Sequence, residues 1–349
     1  MPTESGSGPL FVVGIWRSGT SLLYTLLNQH PQIALMYEGD LPLLRPLFRK
    51  GDGKLHWLER WEFWNSAPSR HHIDCSKIPD NITDLRTAAL AVWKQYAGLA
   101  IMGDKSPTYY DSLPTLAEEF PDARFIVIWR DLADICRSMI NARKSASFFA
   151  KRGTLHRAVI GYHKLKVGCE ALQKQGIPLH QIQYEEMVQS PAEVMAGVCR
   201  FLQIPYDSRM SSLEGADRSA IYQESHHQHV KGNEILNGRK RKEVLPPRLK
   251  RKIDSYVRYW KEQYGGTWPL YPKSCESDSH QPSHVQRAWD EVVFRLFRLV
   301  DQFTVLVYSH APLALLQSYR NLKNRGYRQP EAAPKAAALR ESSTVETLR

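Results

Sequence analysis

Cysteine is scarce and poorly placed for cross-linking: the 349 residues hold five, an odd number, with no Cys-x-x-Cys pair. That speaks for reduced thiols and against a disulfide framework or a cysteine-built zinc site. Long uncharged apolar runs are also missing. The most apolar stretch, 292–316, carries Arg295, Arg298 and Asp301 inside it, which argues against a membrane span. No leader or anchor segment precedes the first apolar run, so the sequence predicts a cytoplasmic protein. Internal repeats are absent. The histidines at 71, 72, 226, 227 and 229 lack carboxylate or cysteine partners at ligand spacing, so no metal site is expected. A net charge of +11 invites a nucleic-acid reading. Yet aromatics do not interleave with the basic runs at 239–242 and 248–252, and no nucleic-acid motif occurs. The positive excess suits a small polyanion better.

What is present is a repeated alternation of strand-like and helical segments. Strands are predicted at 10–16, 32–36, 99–102, 123–129 and about 179–184, with helical stretches between them. That pattern is the βαβ signature of an α/β fold, a parallel β-sheet flanked by helices. Residues 51–85, with Trp57, Trp61 and Trp64, read as an irregular or helical insertion whose tryptophans belong to a core.

The first strand, Leu10 to Trp16, breaks into Arg17-Ser18-Gly19-Thr20-Ser21 and then a helical run from Leu22. A strand, a tight glycine-containing loop and a helix start together aim backbone N–H groups and the positive helix end at one point, which is a ready anion site. From Gly14 the spacing is Gly, four residues, Gly, Thr, Ser. A Walker A loop would carry lysine where Thr20 stands, so a kinase or ATPase reading is weakened and Arg17 becomes the loop's cation.

The loop Gly14-Ile15-Trp16-Arg17-Ser18-Gly19-Thr20-Ser21-Leu22-Leu23 resembles the 5′-phosphosulfate loop of sulfotransferases that use 3′-phosphoadenosine 5′-phosphosulfate (PAPS). Ser21 stands where that loop usually has threonine, which keeps the hydroxyl. A second resemblance follows the strand at 123–129. Arg130-Asp131-Leu132-Ala133-Asp134, with Ser138 beyond, looks like the family's 3′-phosphate segment, with Leu132 in place of its proline. Gly103-Asp104-Lys105-Ser106-Pro107 resembles the element whose lysine approaches the transferring group, and Tyr184-Glu185 with Pro191 resembles a later strand end. Gly232-Asn233, with Arg239 after a longer gap than usual, looks like the segment that folds over the nucleotide. The likeness is to the tyrosylprotein and bacterial-type members, and covers about residues 9–270.

This resemblance implies a P-loop-like sulfotransferase fold and transfer from PAPS to an acceptor hydroxyl of a carbohydrate or small molecule, leaving 3′-phosphoadenosine 5′-phosphate. It implies that Arg17, Ser18, Gly19, Thr20 and Ser21 hold the phosphosulfate. Arg130 and Ser138 would hold the 3′-phosphate, with Tyr184, Gly232, Asn233 and Arg239 completing the nucleotide site. Lys105 and Arg17 would offset charge on the bridging oxygen, and Glu38 would be the base. The sequence places both Glu38 and Asp40 just past a strand end, on the edge where parallel sheets bind ligands, and leaves Asp40 as rival base. His30 reads instead as a helix C-cap. Sulfuryl transfer can proceed on fixed arginine and lysine donors, so no metal is required. The rivals are a P-loop-type kinase and a nucleotide-binding scaffold without activity.

The chain is divided as a main domain at 1–272, a Ser-rich linker at 273–284, a helical extension at 285–326 and a disordered tail at 327–349. The extension's first helix, with Glu291, Arg295, Arg298 and Gln302 on one narrow stripe, is expected to be buried around most of its circumference. Self-association or peripheral membrane contact through 285–326 is the partner expectation, besides the acceptor itself.

Overall fold

Four residues, Leu10–Val13, form β1, and all of them are buried. In the computed structural model, which describes residues 8–48, 53–65, 67–79, 81–97, 101–143, 146–151, 153–221, 232–235, 244–265 and 280–324, this strand lies at the middle of the sheet. The other strands are β2 (Ile33–Tyr37), β3 (Ile101–Lys105), β4 (Arg124–Trp129) and β5 (Leu179–Gln183). Among the described residues they make one parallel sheet in the order β2-β3-β1-β4-β5. The order reverses at β1: β2 and β3 lie to one side and β4 and β5 to the other. Ligands of open α/β sheets gather at such a switch point, outside the strand C-termini.

Alternate residues of the central strands feed two cores. Phe11, Val13, Phe125, Val127 and Trp129 face one, and Leu10, Val12, Ile126 and Ile128 face the other. This two-sided burial explains why β1 and β4 read as continuous apolar runs rather than alternating ones. The second core is covered by α1 (Thr20–Leu27). The first is covered by α2 (Gly53–Asn65), α3 (Leu85–Ala97) and α4 (Leu113–Glu119). Two more helices join that core, α5 (Leu132–Ala142) and α6 (Thr154–Lys174). After β5 come α7 (Tyr184–Gln189) and α8 (Pro191–Leu202), which pack on the second core beside α1. The helix α9 (Pro247–Tyr264) returns to the first core. Trp57 and Trp61 sit inside this core, as their composition suggested.

Two boundaries and one cap differ from the sequence reading. The strand read as 10–16 ends at Val13, because the Ile15 carbonyl accepts from Ser18 N–H and the chain turns. The strand read as 99–102 runs through Ile101–Lys105, so Asp104 and Lys105 belong to the sheet rather than to a following loop. His30 does not cap a helix through its ring: Nδ1 accepts from Gln32 N–H and Nε2 meets the Pro205 carbonyl.

The C-terminal region is helical, with α10 (His284–His310) followed by a break at Pro312 and α11 (Leu313–Asn324). The chain divides into two units, one to Ser309 and one from His310 that contains α11. Most of the segment read as a linker, and all of the tail read as disordered, lie outside the described residues. The burial expected of α10 is reversed. All three of its acids and Arg298 face the domain, where Glu291 pairs with Lys164, Arg298 with Asp111, Asp301 with Arg157 and Asp290 with Lys252. Phe294 is buried against the domain, but a row of apolar residues faces outward; Trp289, Leu296 and Phe303 are all more than half exposed. The cause lies in the surface beneath, where α6 and α9 present cations that need anionic partners, a demand the helix's own periodicity cannot reveal. No described helix is long and apolar enough to cross a membrane.

Candidate active site

Every strand ends at the same edge, and each end delivers a polar group to it. After β1, the loop from Gly14 to Gly19 turns sharply, with Arg17 at φ 70° and Gly19 at φ 104°. Left-handed backbone is costly for arginine and persists only where surrounding structure enforces it. Gly19 is required on two grounds: its dihedral suits glycine, and a β-carbon there would collide with the Tyr184 ring. No side chain caps α1, whose first N–H groups therefore open onto the loop.

Arg17 and Arg130 form the first half of the site. Arg17 Nε donates to Ser138 Oγ at 3.1 Å, joining the loop to α5. The Arg130 guanidinium, 9% exposed, donates to the Arg17 carbonyl at 3.1 Å and stacks 4.0 Å from the Tyr184 ring centroid. Tyr162 OH donates to the Arg130 carbonyl, and Asp131 caps α5 through Asp134 N–H. Ser18 Oγ and Arg130 Nε are buried without a hydrogen-bond partner. A buried donor left unmade is expensive, so two of them beside an uncapped helix start fit a bound anion.

The second half is built on β2 and β3. Ser21 Oγ and Tyr37 OH share a hydrogen bond of 2.8 Å, and Lys105 Nζ lies 3.4 Å from the Tyr37 ring centroid. Lys105 is 0% exposed and donates to Glu38 Oε1 at 2.7 Å. Burial pushes its ammonium below the usual lysine range, and the Glu38 charge opposes that shift. Thus Ser138, Arg17 and Arg130 form one polar cluster and Ser21, Tyr37, Lys105 and Glu38 another. Residues 17–21 connect them.

A turn of unusual backbone presents Glu38. Glu38 and Asp40 both have positive φ, 50° and 54°. The turn is held from beneath by Asp104, whose carboxylate accepts from Gly39 N–H at 3.1 Å, Asp40 N–H at 2.9 Å and Tyr109 OH at 2.6 Å. Trp61 Nε1 donates to the Gly39 carbonyl at 2.6 Å, and Arg70 donates to the Glu38 carbonyl at 3.1 Å. Adjacent strand residues project to opposite faces, so Lys105 meets Tyr37 while Asp104 meets Tyr109. Burial, with the charges of Asp104 and Glu38, raises the Asp40 carboxyl to about 7, despite hydrogen bonds from Ser106 and Thr108. Asp40 accepts from Thr108 Oγ1 at 2.9 Å. Asp104 is likewise pushed up by burial, offset by Tyr109 and the two amides.

Of the residues that the sequence singled out, Arg17, Ser18, Gly19, Thr20, Ser21, Glu38, Lys105, Arg130, Ser138 and Tyr184 come together at this edge. Gly232 and Asn233 are exposed, and the Gly232 carbonyl accepts from Arg218 rather than from the loop. Arg239 lies outside the described residues, as do His226, His227 and His229. Among the described residues no group of histidine, cysteine and acidic side chains could hold a metal ion. Sequence reasoning missed Tyr37, Asp104 and Tyr109. Asp104 carried one usable signal, an acid beside a lysine in a strand-like run, since buried charges come paired.

The family model described as "Sulfotransferase family" matches residues 9–208. Protein-tyrosine sulfotransferase 1 of Danio rerio is 26% identical over 205 residues, covering 57% of this chain and 54% of that protein. Nodulation protein NoeE of Sinorhizobium fredii is 29% identical over 222 residues, covering 54% of this chain and 49% of that protein. The chain therefore spans about half the length of these two relatives. A solved sulfotransferase domain from the curacin biosynthetic pathway shares the fold, with TM-score 0.51 and 19% identity over 72% of this chain and 97% of that one.

Proposed function

The chain belongs to the sulfotransferase family, and from that premise we propose that it transfers a sulfuryl group from PAPS to an acceptor hydroxyl. The observation that carries the reading is the Lys105–Glu38 pair, set on the same sheet edge as the Arg17 loop and Arg130. An acid–base group and two cations flank an anion cradle.

The loop amides with Ser18, Thr20 and Ser21 would hold the phosphosulfate end, and Arg130 with Ser138 the 3′-phosphate. The donor, when bound, supplies an activated sulfuryl group with a stable bisphosphate leaving group. Arg17 and Lys105 offset the negative charge that grows on the bridging oxygen, from positions already fixed before the reaction. Glu38 takes the acceptor proton; its Oε1 is held by Lys105, while its side chain remains 20% exposed toward the edge. Asp40 is the weaker candidate because the Thr108 hydroxyl already engages its Oδ1.

The acceptor is proposed as a carbohydrate or small-molecule hydroxyl, and the test includes a tyrosyl peptide. Labelled PAPS is supplied with sugars, simple alcohols, phenols and that peptide, and sulfate transfer is followed for the native protein and for Glu38→Gln. Transfer to one class, lost in Glu38→Gln while nucleotide binding persists, supports the proposal. Undiminished transfer by Glu38→Gln removes Glu38 as base.

A further inference from the structure

The helix α10 carries an apolar face that the domain leaves uncovered. Nine large apolar side chains from Val285 to Val307 are between 38% and 80% exposed. At roughly 100 Å² each they offer on the order of 900 Å², beyond the few hundred Å² of a typical monomer's largest patch and matching the ~800 Å² per partner of a stable interface.

The spacing identifies what fits there. Trp289, Val292, Leu296, Leu299, Phe303 and Leu306 succeed one another in alternating steps of three and four residues. That is a heptad seam, the step a partner helix demands for knobs-into-holes packing. A lipid surface requires only a wide apolar arc and favours a polar face rich in cations. Here most of the polar face is engaged by the domain, leaving Arg295 as its exposed cation: all three acids of α10, Asp290, Glu291 and Asp301, pair inward, as does Arg298. The chain's own C-terminus is a poor cover, because residues 325–349 offer only Tyr327, Leu339, Val345 and Leu348 as large apolar groups.

We propose that a second copy of this chain docks on this face, α10 against α10 across a two-fold axis. A self-complementary patch of this kind closes into a dimer, with no residual sticky surface. Arg295, 75% exposed in its side chain, flanks the seam and faces no acid of its own helix beyond Glu291, so charge does not dictate the pairing. The seam does.

Sedimentation velocity of the full chain between about 1 and 50 µM tests this. The proposal expects a dimer for the native protein and a monomer for the double variant Leu296→Glu, Phe303→Glu. Both residues are exposed, so the circular dichroism spectrum and bisphosphate-nucleotide binding should not change. If that variant misfolds, Leu299→Lys, at a seam position 58% exposed, gives the same reading. A native monomer throughout the range overturns the proposal, as does a dimer that survives these substitutions. Co-sedimentation of a monomeric native protein with phosphatidylserine–phosphatidylcholine vesicles, abolished by the same substitutions, also overturns it in favour of a membrane.

Discussion

Lys105 Nζ donates to Glu38 Oε1 at 2.7 Å, bridging the ends of two neighbouring strands, and the lysine is wholly buried while the glutamate keeps a fifth of its side chain exposed. The asymmetry matters. Removing Glu38 strands a buried ammonium, whereas removing Lys105 leaves a carboxylate that can reach water. Glu38→Ala should therefore destabilise more than Lys105→Met, by up to about 3–5 kcal/mol for the former. Urea unfolding of both variants checks the order; equal losses would mean that the lysine finds water or another partner.

Asp40 gives a pH signature. Its carboxyl is raised to about 7 in the folded protein against 3.8 ordinarily, so between those values the folded state holds a proton that the unfolded state has lost. Its contribution to stability is full below pH 4 and declines as the pH rises to about 7. Subtracting the stability curve of Asp40→Asn from that of the native protein isolates this decline. A flat difference over that range would show that Asp40 ionises normally.

Asp104 holds the turn that carries Glu38, the proposed base. Its carboxylate accepts from two amides and the Tyr109 hydroxyl, and an asparagine side chain, with one acceptor oxygen in place of two, could satisfy fewer of these donors. Asp104→Asn should cost about 1–3 kcal/mol of stability. It should also lower kcat with little change in the KM for PAPS, since the Glu38 turn loosens while the loop stays intact. A loss confined to KM would contradict that role.

Gly19→Ala meets both a left-handed dihedral and the Tyr184 ring. Nucleotide binding should drop sharply, while Gly215→Ala, which has open space around it and a similar φ of 68°, should cost only backbone strain. Comparing the two by calorimetry separates loop disruption from strain.

Much of the edge is legible in the sequence because its signals are local. The apolar run through Val13, the glycine punctuation at Gly14 and Gly19 and the helical composition after Leu22 specify strand, loop and helix with no distant information. The end of β3 escapes such a reading because Gly103, Asp104 and Lys105 are weak strand formers. They are held in the sheet by register with β1 and β2, a tertiary constraint. The choice between Glu38 and Asp40 depends on Thr108 and Asp104, which lie more than sixty positions away. The face of α10 is inverted for a similar reason. Its ion-pair partners Arg157, Lys164 and Lys252 belong to other helices, so periodicity alone makes its exposed apolar stripe look like a buried one.

The proposed transfer requires a two-ended nucleotide site running from the Arg17 loop to Arg130. Calorimetric titration of 3′-phosphoadenosine 5′-phosphate into the native protein and into Arg130→Ala probes that site without any need to know the acceptor. A single site whose affinity falls about 10- to 100-fold in the variant is expected, the loss of a charged hydrogen-bond donor to phosphate. Absence of binding to the native protein, or unchanged affinity in Arg130→Ala, would show that no such site exists.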